Sequence, residues 1–519
     1  MWFPMHLFFS VLSLLPYTIL ALPTGTGAPT YDEIAKFWHD ELNITTLPPP
    51  GIETLSGDSL TCQILETIFQ DLNIQPNEPQ YEARRTANWA QTAWLRPACI
   101  FMPQTPAEVS MALKILTFFD SPFAVRSGGH QVAPGFSNID NGVLLDMSKL
   151  NEITYINGQQ TVVIGTGALW GAVYEKLEVY GVTAVGGRVN GIGVGGLILG
   201  SGLSYLSNKY GMACDNVVNF EVVLADGSIV NANNQANTDL FWALKGGTNN
   251  FGVVTRFTLN VYPLGNVYGG IIGYSNADAP AVLSALAEYQ DSGELDENAN
   301  IMVQVVLTND TLGTLLNVFY AKPVENPAVF APFYKIPAVF STAGVQSYSN
   351  FIAGATDTDI PRWDLRTTSF LPSVEMYQNT LKFASEAKSS LSHTTAGSLL
   401  LAYQPISESL VEQGQLRGGN ALGLRKARQT WFALNTGWWF PSDDKSSYEF
   451  PTNIMNQVEQ DSKSKNLYID YVFMNDASRN QNVIAQYGEE NVGKLKIIAA
   501  KYDPSRVFQR LERGGFKLP

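Results

Sequence analysis

The sequence predicts an α+β protein with more than one compact unit, and three observations predict it. The chain has 519 residues, more than one typical domain holds. From about residue 95, short apolar runs alternate with helical stretches, and the runs end in glycine-rich loops. After Pro263 the pattern changes to longer aliphatic and aromatic runs of the kind that pair antiparallel.

The first residues, Met1 to Pro23, contain no Lys, Arg, Asp or Glu, and their apolar run ends in Ala21-Leu22-Pro23. They read as a secretory signal peptide spanning 1–21, with a signal anchor as the alternative because the usual N-terminal positive charge is missing. Residues 22–58 are rich in Pro, Thr and Gly and read as an extended arm, so 22–94 form an arm and the start of the first domain. Thr105-Pro106-Ala107-Glu108 is a capping box with Pro at the first helical position, opening a helix to about Phe119. Pro122 to Val125 is a short buried strand ending in Arg126-Ser127-Gly128-Gly129-His130. Thr161 to Gly165 is a second strand, and a helix follows over about Leu169–Tyr180. Asp226-Gly227 between alternating runs marks a hairpin within Val217 to Asn231. Thr238 to Lys245 reads as a capped helix and Gly252 to Tyr262 as a strand, closing a core domain over 95–264. A second domain over 265–465 begins with a helix at about Ala279–Tyr289 and antiparallel strands at Ile301–Leu307 and Leu315–Tyr320. Residues 466–519 return to a strand–loop–helix pattern.

Composition narrows the function. Asp and Glu number 47 against 33 Lys and Arg, a net charge of −14. Such a surface repels phosphate backbones and anionic lipids, so nucleic acid and membrane partners are not expected after signal cleavage. Beyond the leader no stretch has eighteen uninterrupted apolar residues. Asn43-Ile44-Thr45 and Asn309-Asp310-Thr311 are glycosylation sequons in keeping with secretion. Three cysteines, Cys62, Cys99 and Cys214, make one pair and one leftover in an oxidising compartment. There is no Cys-x-x-Cys, so no metal site is expected.

The chemistry concentrates in two glycine loops. Two glycines at a strand end, Gly128 and Gly129, let the backbone turn sharply and aim its N–H groups at one point, which suits a pyrophosphate. Arg126 either adds charge there or is a structural ion pair. His130 follows directly, and a neutral imidazole is a nucleophile and base; the plainer alternative is a hydrogen-bonded structural histidine. The second loop, Gly186-Gly187-Arg188-Val189-Asn190-Gly191-Ile192-Gly193-Val194-Gly195-Gly196, formally contains the Rossmann fingerprint. Its place deep in the chain argues against that fold. Two such loops about sixty residues apart suggest one cofactor clamped from both sides, or, for the second, a tightly packed turn.

These features resemble the vanillyl-alcohol-oxidase-type flavoproteins, and most of all their fungal berberine-bridge-enzyme-like branch. The likeness is carried by the Arg126–His130 loop, the Gly186–Gly202 stretch, Lys209-Tyr210-Gly211, Asp215-Asn216 and Lys245-Gly246-Gly247-Thr248-Asn249-Asn250-Phe251-Gly252-Val253-Val254-Thr255. At the C-terminal end it is carried by Phe473-Met474-Asn475-Asp476-Ala477, Gln486-Tyr487-Gly488 and Tyr502-Asp503-Pro504 with Phe508. The resemblance spans most of residues 60–519. It implies a PCMH-type FAD-binding domain of two α+β lobes with FAD between them, and a substrate domain whose antiparallel sheet, covered by helices, closes over the flavin ring. His130 matches the position attached to the flavin 8α-methyl group. Gly187, Gly191, Ile192, Gly193, Gly196 and Gly202 belong to the second loop, Asn475 lies beside the ring, and Gly252 and Val254 mark the adenine end. Ser127, Gly128 and Gly129 complete the first loop. The family carries a cysteine pair like Cys62 and Cys99, which implies a disulfide between them and leaves Cys214 free and buried.

Three positions bear on the chemistry. Many relatives form a second flavin link through a cysteine where this chain has Val189, which implies a single covalent bond through His130. Many have Tyr where this chain has Asp476. Asp476 is therefore the first candidate base, with Tyr471 and Tyr468 behind it; the plain alternative is that Asp476 caps a loop. Ile192 stands at the position that governs oxygen access and leans toward an oxidase using O2. Trp431, Trp438, Trp439 and Phe440 either line a cavity for a flat substrate or form core. The resemblance implies an FAD oxidase, expected as a monomer, acting on a small organic molecule, an alcohol or ring-forming intermediate of fungal secondary metabolism. One alternative is an oligosaccharide oxidase acting at the anomeric hydroxyl. Another is a secreted flavin-binding protein without turnover.

Overall fold

The computed structural model describes residues 29–55, 57–292, 296–308, 312–355, 358–387 and 397–519. The signal segment 1–21 and the Asn309 sequon lie outside the described residues. The chain divides into two compact units, Met1–Ser56 and Gly57–Pro519.

The first unit corrects the extended-arm reading. It holds a helix, Tyr31–Asp40, opened by a reciprocal capping box between Thr30 and Glu33. Ile34, Phe37 and Trp38 fall at helical spacing and are buried on one face. Asn43, the first sequon, follows it on an exposed turn with a left-handed backbone.

Among the described residues, the large unit is built on three sheets. The first has β1 (Asn73–Ile74), β2 (Cys99–Phe101), β3 (Phe123–Arg126) and β4 (Val143–Asp146) in the order β1-β2-β4-β3. Its β2–β4 and β3–β4 pairs are parallel. The predicted capping box is present: Thr105 and Glu108 cap each other across the start of helix Pro106–Phe118. Cys62 and Cys99 are bonded across 37 residues, and Cys214 is free and buried. Opening a loop of that size is expected to cost about 3–4 kcal/mol. The double variant Cys62→Ser with Cys99→Ser should lose that much in denaturant unfolding; a loss under about 1 kcal/mol would contradict the assignment of stability to this link.

The second sheet is antiparallel. It comprises β5 (Ile153–Ile156), β6 (Thr161–Gly165), β7 (Val182–Ala184), β8 (Val217–Val223), β9 (Ile229–Asn233) and β10 (Val253–Pro263). The β8–β9 hairpin turns through Gly227 at φ 81°, as the Asp-Gly pair predicts. Helix Trp170–Glu178 follows β6, and Trp170 is fully buried. The helix expected at 238 spans Thr238–Ala243, but its start carries no side-chain cap.

The third sheet has nine strands: β11 (Val267–Tyr274), β12 (Ala299–Thr308), β13 (Leu312–Tyr320), β14 (Ala338–Ser341), β15 (Gly344–Gln346), β16 (Arg362–Phe370), β17 (Ser398–Ile406), β18 (Gln429–Trp438) and β19 (Tyr468–Ile469). Helices Ala279–Ser292, Val374–Glu386 and Asp444–Ser464 pack on it through a core that includes Leu286, Tyr377, Leu401, Phe432 and Val458. β19 pairs with β16, so the chain leaves this sheet only after Ile469. Among the described residues, no helix is long and apolar enough to cross a membrane, and no group of three or more His, Cys, Asp or Glu is placed to hold a metal.

Candidate active site

β3 delivers the first glycine loop, and Arg126 at its end is 2% exposed. The guanidinium donates to Asp146 Oδ2 at 2.8 Å, Asn88 Oδ1 at 3.0 Å and the Arg84 carbonyl at 2.7 Å. Of its two readings, the structural ion pair is the one observed: its charge is engaged inside the protein and fixes the root of the loop. Ser127 Oγ donates to the Thr166 carbonyl at 2.6 Å and accepts from the Gly195 N–H at 3.2 Å, bridging to the second loop.

The two loops touch backbone to backbone. A Cβ on Gly128 would lie 2.5 Å from Gly193 N, and one on Gly193 would lie 2.3 Å from Gly128 N. Glycine is required at both positions, because any side chain would push the loops apart. Gly186 and Gly187 lie against the Trp170 ring, where a Cβ would sit 2.0 Å and 2.8 Å from its atoms. Gly196 is different: it is exposed, and a Cβ there would meet nothing within 4 Å. The backbone of Gly196 therefore borders open space and that of Gly128 is partly accessible, a surface that suits the close approach of a pyrophosphate.

Around this surface the structure gathers His130, Asn475 and Asp476. His130 is partly accessible and stacks on Trp89, with ring centroids 4.6 Å apart and planes 14° apart. Trp89 stacks in turn on Trp363 of β16, which fixes the imidazole plane from the side of the large sheet. Asn475 Oδ1 accepts from the Gly202 N–H at 3.1 Å, and its Nδ2 donates to the Gly196 carbonyl at 3.4 Å. A Cβ on Gly200 would lie 2.5 Å from that Nδ2, so glycine lets the amide lie on the end of helix Val194–Leu199. Asp476, on the same turn, is partly accessible, and its Oδ2 accepts from Gln404 Nε2 at 2.8 Å. Arg188 of the second loop donates to the other end of the Gln404 amide, Oε1. Burial raises the Asp476 carboxyl above the ordinary carboxylate range, opposed by the Arg188 charge, the Gln404 hydrogen bond and the His130 charge.

Other predicted residues lie elsewhere. Tyr471 is 2% exposed and packed between Trp431, at 4.9 Å, and Tyr487, at 6.4 Å. Burial pushes its phenol well above the ordinary value, which keeps it protonated and leaves no phenolate to take a proton. Burial likewise raises Tyr468, at the edge of the sheet, where Lys463 stands over its ring. Gly252 packs on β8, where a Cβ would meet Val222 at 2.5 Å, and Val254 is in the core. Gly191 and Ile192 are partly accessible in the turn before helix Val194–Leu199, and Gly202 holds a left-handed backbone at φ 74°. The aromatic group at 431–440 is split: Trp431 and Trp438 are fully buried on β18, while Trp439 and Phe440 are exposed beyond its end. They do not line one cavity. Sequence reasoning missed Gln404 and Arg188 as site residues. The available signals were a lone amide in the apolar run Leu399–Ile406 and a lone cation in a glycine stretch.

Residues 97–233 match the FAD binding domain family. The chain is 35% identical to the bifunctional solanapyrone synthase of Alternaria solani over 514 residues, covering 98% of this chain and 99% of that one. It is 37% identical to an FAD-dependent monooxygenase of Arthrobotrys oligospora over 469 residues, 89% of this chain and 90% of the other. Its fold is similar to that of the glucooligosaccharide oxidase of Acremonium strictum, which carries a 6-S-cysteinyl, 8α-N1-histidyl FAD. That likeness has a TM-score of 0.71 at 17% identity and covers 86% of this chain and 97% of the other.

Proposed function

The chain belongs to the family of FAD-dependent oxidoreductases that these fungal enzymes define, and from that premise we propose an oxidase that takes a hydride and a proton from an alcohol carbon and its hydroxyl. The substrate is a small organic molecule, an alcohol or ring-forming intermediate of secondary metabolism, and O2 is the final electron acceptor. The observation that carries this reading is Asp476: a partly accessible residue whose carboxylate is held by Gln404, on the turn where Asn475 meets the second glycine stretch. Bound FAD supplies the acceptor for the hydride. Gly128, Gly129, Gly193 and Gly196 offer the backbone surface for its pyrophosphate. His130 is the point of covalent attachment at the 8α carbon, and Val189 provides no second nucleophile. Asp476 accepts the hydroxyl proton as the hydride leaves the carbon. Residues 95–264 with 466–519 serve as the cofactor-binding part and 265–465 as the substrate part. The enzyme is a secreted monomer, glycosylated at Asn43 and Asn309; the Cys62–Cys99 bond suits that compartment.

The name of the Arthrobotrys oligospora relative favours a second reading, in which an oxygen atom enters the product. Oxygen accounting separates the two. With a panel of aryl and alkyl alcohols and 18O-labelled O2, the oxidase reading expects one hydrogen peroxide per product and no label in the product. Label in the product, with peroxide absent, would establish the monooxygenase. Turnover confined to oligosaccharides, with their lactones as products, would replace the small-alcohol substrate by an anomeric one. A flavin that no compound reduces would support binding without turnover.

A further inference from the structure

Three groups on separate segments form one hydrogen-bonded line: Arg188 in the second glycine loop, Gln404 on β17 and Asp476 on the turn after β19. Gln404 is 2% exposed in a strand whose neighbours Leu401, Ala402, Tyr403 and Ile406 are buried and apolar. Its amide has one accepting and one donating end, and a guanidinium can only donate. The Arg188 contact therefore turns Oε1 toward the cation and leaves the NH2 group facing Asp476. Arg188 is itself placed by Tyr205, whose ring centroid is 6.0 Å away, and by Met302, whose sulfur is 3.9 Å from Nη1.

We propose that Arg188 and Gln404 are positioning residues for Asp476: Arg188 sets the facing of the Gln404 amide, and together they hold the Asp476 carboxylate ionised and aimed at the substrate hydroxyl. This rests on the reading of Asp476 as the base. Two charged or titratable groups face Asp476 from the elements packed against it, Arg188 from the second glycine loop and His130 from the first. Removing Arg188 withdraws positive charge, and removing the Gln404 amide withdraws a donor to the charged form. Both changes make ionisation harder, so both move the titration of Asp476 to higher pH.

The test needs no turnover. Infrared pH titration of the holoenzyme, differenced against Asp476→Asn, isolates the Asp476 carboxyl band. Its midpoint is expected to rise by about half a pH unit or more in Arg188→Met and in Gln404→Leu. In Arg188→Lys, which keeps the charge, it should return toward wild type. Flavin absorbance per chain checks that each variant is intact, and Arg188→Lys carries the test if Arg188→Met does not fold: a midpoint displaced by several units there would contradict a role through charge. Equal midpoints in wild type, Arg188→Met and Gln404→Leu would overturn the proposal. The failure of the underlying reading looks different: Asp476→Asn would then keep its rate of flavin reduction whatever the midpoints show.

Discussion

Asp476→Asn is expected to slow flavin reduction by substrate about 10²-fold or more, the usual size of a general-base effect, while leaving flavin content unchanged. The amide keeps the shape of the side chain and can still meet Gln404, so packing around the turn is preserved. What it loses is the ability to take a proton. The pH dependence follows from the same group. Burial raises the Asp476 carboxyl, so the working carboxylate is present above that raised pKa and is protonated as pH falls through it. The acid limb of flavin reduction in wild type is therefore expected above the ordinary carboxylate value of about 3.9. Stopped-flow reduction without oxygen, followed across pH, reads both effects. A rate within a few-fold of wild type in Asp476→Asn would make the residue structural. Tyr471 would gain little from that outcome, because it is packed against Trp431 and pushed far from a basic phenolate.

His130→Ala is expected to convert the flavin from covalently bound to releasable. The imidazole follows a glycine pair whose first member touches Gly193 and whose second has a left-handed backbone, so the loop has little freedom to aim another side chain. Val189 offers no replacement. The variant should still bind FAD through the backbone surface, release it on acid denaturation and turn over more slowly, because covalent attachment raises the flavin's potential. Trp89→Ala tests how much the stacked indole contributes: the covalent fraction should fall below one per chain although His130 is intact. Unchanged covalent flavin in Trp89→Ala would show that the loop alone orients the imidazole.

The residues legible in the sequence were those whose partners are close in the chain or whose conformation is special. The Thr105–Glu108 capping box, the Asp226-Gly227 hairpin and both glycine loops depend on local geometry, and each can be located by reading a few neighbouring letters. The helix Tyr31–Asp40 carries the same kind of signal at Thr30 and Glu33, hidden by the surrounding Pro and Thr. Other features were not legible because they arise only when distant segments meet. Arg188 and Gln404 are 216 residues apart, and Gln404 and Asp476 are 72 apart. No periodicity encodes the placing of β17 between β12 and β18, yet that order brings Gln404 to the site. The aromatic group at 431–440 left cavity and core both open for a related reason: Trp431 and Trp438 are seven residues apart on one strand, so they point to opposite faces, and both are core.

Attachment of the flavin through His130 is tested most directly by acid denaturation of the purified wild-type protein followed by proteolysis of the precipitate. A single covalent bond through His130 predicts that the yellow colour stays with the precipitated chain, and that one peptide, the one containing His130, carries the mass of a single flavin. Flavin found wholly in the supernatant, or attached through any other residue, would contradict it.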